Sequence, residues 1–120
     1  MIFEGSEIMR YIKVDNANKI INNSSYLISN PTEYKNKWRD LFGNNKPICL
    51  ELGTGRGNFI INMAKEYPNI NFIGLEICDS QLVEAVQKLE HLKLNNLKLI
   101  NADARDIDNI FGKEIDTIYL

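Results

Sequence analysis

The chain has 120 residues, 44% hydrophobic and 25% charged, with a formal net charge of -2 at pH 7. This is the composition of one ordinary globular domain, and the slightly acidic balance excludes a global attraction to nucleic acid, so a polyanion would have to be met by a local patch. No apolar run reaches the length of a membrane span, the opening Met1-Ile2-Phe3-Glu4 lacks a signal peptide's basic start, and Cys49 and Cys78 have no C-x-x-C spacing; a cytoplasmic protein with free thiols, no membrane partner and no metal site is expected.

Residues 1–29 are weakly patterned and rich in Asn, Ser, Ile and Lys, which predicts a partly mobile amino-terminal arm. The first well-punctuated helix follows: Asn30 is its cap, Pro31 takes the first helical position, Glu33 lies in the first turn and Gly43 follows the end. Tyr34, Trp38, Leu41 and Phe42 form its apolar face, while Lys35, Lys37 and Arg39 project elsewhere, either as a solvated basic face or as phosphate contacts. Strands are expected at Pro47 to Leu52, Asn71 to Glu76, Leu97 to Ala102 and Asp116 to Leu120. Between them lie helices at Asn58 to Tyr67, Ser80 to Leu94 and Ala104 to Phe111. Phe59, Met63, Ala64 and Tyr67 recur at helical spacing before Pro68, as do Leu82, Val83, Val86, Leu89 and Leu92 behind an Asp79-Ser80 cap; both stripes read as core. Strands alternating with helices give a parallel sheet covered on both faces, a doubly wound, Rossmann-like α/β domain over residues 30–120.

The segment Cys49 to Phe59 is an apolar run that ends in Glu51 and breaks into Gly53, Gly55 and Gly57 before a helix. Glycines at such a turn admit positive φ and let a ligand approach the backbone. The pattern is E-x-G-x-G-x-G; the dinucleotide fingerprint needs a glycine where Asn58 stands, and no Gly-Lys-Ser/Thr completes a phosphate loop. Glu51 would repel a pyrophosphate and attract a cofactor that carries an ammonium and a sulfonium, as S-adenosyl-L-methionine does. Glu76, roughly 20 residues on, stands where a ribose-binding acid belongs. Asp103 ends the third run, placed to face an adenine or to cap the helix at Ala104. In an open parallel sheet, acids at successive strand ends converge on one crevice. His91, late in a helix, reads as an exposed surface residue.

These residues carry a family resemblance. Asn30-Pro31, Tyr34-Lys35, Lys37 to Asn44, Pro47-Ile48, Glu51 to Gly57, Met63 to Lys65, Pro68 to Glu76, Ala85 to Lys88, Asn96 to Leu99 and Tyr119-Leu120 resemble the bacterial tRNA (guanine-N7)-methyltransferases, class I S-adenosylmethionine-dependent enzymes. The resemblance implies that Glu51, Glu76 and Asp103 are cofactor-binding acids, that Gly53 and Gly55 line the methionine end, and that Ile77 and Ala104 border the adenosine. It implies methylation of N7 of a variable-loop guanine, guanine-46, in tRNA. The family's catalytic aspartate lies in an Asn-Phe-Ser-Asp-Pro-Trp-Pro-Lys segment after a strand ending like Tyr119-Leu120, so the catalytic residues are expected just past Leu120. The chain is then the cofactor-binding half, ending after the fourth strand. The arm, strongly basic in many relatives, here keeps Arg10, Lys13 and Lys19 behind Glu4 and Glu7. Two other readings remain open: a non-catalytic half-domain that binds cofactor or a partner, and an NAD-dependent dehydrogenase. An uncovered sheet edge predicts a homodimer or a partly molten monomer.

Overall fold

The structure, a computed structural model, describes residues 19–120. Residues 1–18 of the expected arm, with Glu4, Glu7, Arg10 and Lys13, lie outside the described residues. Residues 19–22 are helical (α1), followed by a 3-10 turn Pro31–Tyr34, α2 Trp38–Phe42, β1 Ile48–Leu52, α3 Asn58–Glu66 and β2 Asn71–Glu76. Then come α4 Asp79–Leu89, β3 Leu97–Asn101, a 3-10 turn Ala104–Asp106, α5 Ile107–Ile110 and β4 Thr117–Tyr119.

The four strands form one parallel sheet in the order β3-β2-β1-β4, with Glu51 opposite Gly74 on one side and Tyr119 on the other, and Glu76 opposite Asn101. Alternate side chains of a strand point to opposite faces, and here both faces are apolar. Cys49, Phe72, Leu97 and Leu99 pack with Ile60, Ile61 and Ala64 of α3, Leu82, Ala85, Val86 and Leu89 of α4, and Ile21. Ile48, Leu50, Ile73, Leu75 and Ile100 pack on the other face with Trp38, Ile110 and Phe111. The doubly wound α/β architecture follows from burying both faces at once.

The expected helix behind Asn30 is two pieces. Asn30 makes no side-chain cap to the 3-10 turn, and Asn36 takes φ 66, which breaks the helix before Trp38. The cause is distant in sequence: the buried Glu114 carboxylate accepts from the backbone N–H of Asn36 (2.9 Å), Trp38 (3.2 Å) and Gly112 (2.6 Å). The α2 amino terminus is thus satisfied by a side chain from the approach to β4. Trp38, fully buried, donates its indole N–H to the Ile110 carbonyl at 2.9 Å, and Gly43 closes the helix at φ 74 as expected.

The buried stripe of α3 is Ile60, Ile61 and Ala64; Phe59 and Tyr67 are 43% and 47% exposed. The helix is turned so that Gly57 and Ile61 sit against α4, which places Phe59 beside Tyr119 (centroids 5.2 Å) instead of in the core. The carboxyl end of α3 is held by Asn96, whose buried amide donates to the carbonyls of Ala64, Tyr67 and Ile70 at 3.0–3.1 Å. Helix α4 begins at Asp79 with no side-chain cap from its flanking residue, and ends at Leu89, five residues short of the expected Leu94, in a turn closed by Leu92 N–H to Leu89 O. The boundary expected at Asn30 does not coincide with a break in packing. Ile28 N–H donates to Leu99 O at 2.9 Å, Leu99 N–H to Tyr26 O at 2.8 Å, and the Tyr26 hydroxyl to Leu92 O at 2.8 Å. Residues 26–28 therefore cover the β3 edge.

Candidate functional site

The glycine turn folds back over the end of β2. The N–H groups of Gly53 and Thr54 both donate to Leu75 O (2.8 and 3.0 Å), and Gly57 N–H donates to Thr54 O at 2.9 Å. This path requires left-handed backbone at Gly53 (φ 73), Gly55 (φ 58) and Gly57 (φ 81), a region L residues enter at about 1–2 kcal/mol. The glycines differ in surroundings. A Cβ at Gly53 would meet nothing within 4 Å, whereas at Gly55 it would lie 2.9 Å from Gln81 Oε1 and at Gly57 2.9 Å from Ala85 Cβ. Gly53 thus leaves open space at the turn, and Gly57 allows α3 and α4 to touch.

The acids of β1 and β2 belong to one unit. Glu51 accepts a hydrogen bond from the buried Thr54 hydroxyl, and burial together with the nearby Glu76 carboxylate pushes its pKa above the ordinary range, opposed by that hydroxyl. Glu76 is 8% exposed and uses both oxygens: Oε1 accepts from Gly55 N–H at 2.8 Å and Oε2 from Cys78 N–H at 2.9 Å. It ties the glycine turn to the entry of α4. Asn101, opposite Glu76, donates to Glu76 O at 3.0 Å and joins the end of β3 to that of β2. A site that crowds two desolvated carboxylates beside an open glycine turn favours a cation and repels a phosphate.

Asp103 and Ala104 stand apart from that unit. Asp103 caps the 3-10 turn, accepting from Arg105 N–H at 2.9 Å, and its other oxygen accepts from the Arg105 guanidinium at 2.7 and 3.0 Å. The guanidinium holds the carboxyl below its usual pKa. Ala104 is exposed, and Ile77, at 61%, is the exposed apolar residue beside Glu76. Residues that the sequence reading passed over are Thr54, Asn101 and Cys78. The thiol of Cys78 is drawn below its ordinary pKa by the Ser80 hydroxyl (3.3 Å) and the backbone N–H of Gln81 and Ser80. The available signal for Thr54 was its place three residues after Glu51, with Gly74 in the neighbouring strand.

Lys35 donates to the Asp108 carbonyl at 2.6 Å, so one residue of the expected basic face serves packing. His91 is exposed, as expected. A groove of about 800 Å³ near the amino end of β3, lined in part by Lys19, Tyr26, Leu89, Lys93 and Lys98, is remote from the acids and glycines and shares none of their chemistry. Among the described residues no helix is long and apolar enough to cross a membrane.

Comparison with known proteins shows the family. A family model described as "Putative methyltransferase" matches residues 45–120. The chain is 50% identical over 103 residues to a tRNA (guanine-N(7)-)-methyltransferase of Geobacillus sp. (strain WCH70), covering 85% of this chain and 47% of that protein. It is 51% identical over 98 residues to the protein of that name from Bacillus cytotoxicus, covering 81% and 45%, and 46% identical over 99 residues to that of Bacillus subtilis (strain 168), covering 82% and 46%. The chain thus spans about half the length of the curated relatives it matches. Among solved structures it is similar to an antibiotic-related methyltransferase (TM-score 0.51, 23% identity, 58% of this chain and 37% of that one). It is also similar to the plantazolicin methyltransferase BamL, in complex with a triazolic desmethylPZN analog and SAH (TM-score 0.50, 20% identity, 92% and 39%). These two likenesses show the fold.

Proposed function

This chain belongs to the methyltransferase family whose model it matches over residues 45–120, and from that premise we propose that it is the S-adenosyl-L-methionine-binding portion of a tRNA (guanine-N7)-methyltransferase. The observation that carries this reading is the Glu51, glycine turn and Glu76 unit: two desolvated acids beside an open backbone turn suit a cationic adenosine derivative and not a pyrophosphate. Identity near 50% to proteins named for this activity supports the substrate class.

In this reading Glu51, Gly53 and Gly55 hold the amino-acid end, Glu76 the ribose hydroxyls, and Ile77, Asp103 and Ala104 the adenosine. When bound, the cofactor supplies an electrophilic methyl group. Guanine N7 has a lone pair and no proton, so the chain's task is alignment: Glu76 fixes the turn to α4, and the glycines keep the approach open. This reading assigns none of the residues named here to holding the guanine. The tRNA substrate implies a cytoplasmic protein, and the 49% exposure of Ile118 on β4 supports a proposed pairing of two copies along that strand.

Calorimetry with S-adenosylmethionine, sinefungin and NAD tests the reading. Binding of the first two without NAD is expected; NAD binding in preference to sinefungin refutes it. Cofactor binding with no methylation of a tRNA transcript by the full-length protein assigns a binding role only.

A further inference from the structure

We infer that Thr54 is a positioning residue that sets this site's preference for an ammonium-bearing ligand: its hydroxyl, seated against the bare Cα of Gly74, donates to Glu51 and holds that carboxylate in place. The inference rests on the reading of the crevice as an S-adenosylmethionine site.

Thr54 is held from every side. Its N–H donates to Leu75 O, its carbonyl accepts from Gly57 N–H, and the residue is 6% exposed. The space it occupies exists because β2 carries glycine opposite Glu51; a Cβ at Gly74 would lie 2.8 Å from Thr54 Oγ1 and 3.0 Å from its Cβ. A glycine in a strand interior weakens the strand, and here it marks a close approach. Among the described residues the groups around Glu51 offer no competing cation: Glu76 ends β2, Tyr119 is its partner on β4, and the guanidinium of the turn, Arg56, pairs with Glu84 of α4 at 2.8 Å. The hydroxyl is therefore the neighbour that offsets burial and the second carboxylate. One donated hydrogen bond still leaves lone pairs on Glu51 for an ammonium.

Glu51 attracts an ammonium only when ionised, so binding is lost as pH falls through its pKa, and removing the hydroxyl moves that loss to higher pH. The test compares the wild-type chain with Thr54→Val, Thr54→Ala and Thr54→Ser. Two readouts are taken between pH 5 and 8: the 13C NMR titration of the Glu51 carboxyl without ligand, and calorimetry with sinefungin and with 5′-methylthioadenosine, which lacks the amino-acid group. In folded Thr54→Val, or in Thr54→Ala should the valine not fold, Glu51 is expected to titrate at higher pH. Sinefungin affinity falls roughly tenfold on the acid side of that titration and recovers as pH rises through it, while methylthioadenosine affinity is unchanged. Thr54→Ser keeps the wild-type profile. An unmoved Glu51 titration, or an equal loss for both ligands, overturns the inference. Failure of the wild-type chain to bind either ligand refutes the cofactor reading, and the NMR titration still decides what Thr54 does to Glu51.

Discussion

The ends of β2 and β3 both carry acids, yet the structure treats them differently. Glu76 is buried, and its two oxygens are divided between backbone N–H groups 21 and 2 residues away, so it is part of the scaffold that shapes the glycine turn. Asp103 is more exposed and is satisfied by Arg105, two residues on. A carboxylate bound to distant backbone fixes tertiary geometry; one paired locally on the surface fixes only its own turn. The β1–β2 end is therefore preformed, and the β3 end is free to exchange Arg105 for another partner.

Variants can break or sharpen this contrast. Gly57→Ala combines a left-handed backbone with a Cβ 2.9 Å from Ala85, and is expected to destabilise the domain by about 2–4 kcal/mol in urea unfolding. Glu76→Ala leaves the Gly55 and Cys78 N–H groups unpaired and removes the proposed ribose acceptor; calorimetry should show sinefungin affinity down roughly 10- to 100-fold. Glu51→Gln separates stability from binding. Because the folded pKa of Glu51 lies above its unfolded value, the folded state takes up the proton more readily, and the ionised carboxyl weakens the fold as pH rises through that window. The amide variant should thus raise the urea midpoint at pH 7 while weakening sinefungin binding. Asp103→Asn has the smallest effect: its pKa is depressed, so its contribution is present at neutral pH and lost as pH falls through the folded value. Solvent screens the pair, and sinefungin affinity should change only roughly two- to fivefold. A loss at Asp103 as large as that at Glu76 would erase the distinction between the two ends.

The parts of the molecule legible in the sequence are those governed by neighbours in the chain. Strand β2 runs from Asn71 to Glu76 as expected, because the short apolar stretch Phe72 to Leu75 lies between Pro68 and the helix start at Asp79. The three glycines adopt positive φ where the spacing required it. The helix behind Asn30 could not be read correctly, since its break depends on Glu114, 76 residues from Trp38. Likewise the choice of Ile60 and Ile61 over Phe59 and Tyr67 for the core depends on how α3 meets α4 at Gly57 and Ala85.

By itself, then, the chain's order of residues determined the alternation of strands and helices, the glycine turn and the acids at or near the carboxyl ends of three strands, because periodicity, turn chemistry and charge are local properties. Only the tertiary structure decided which acids share a desolvated space and that Thr54 reaches Glu51 through the gap left by Gly74. Those outcomes depend on the distances between separate elements, and such distances exist only once the two faces of the sheet are packed.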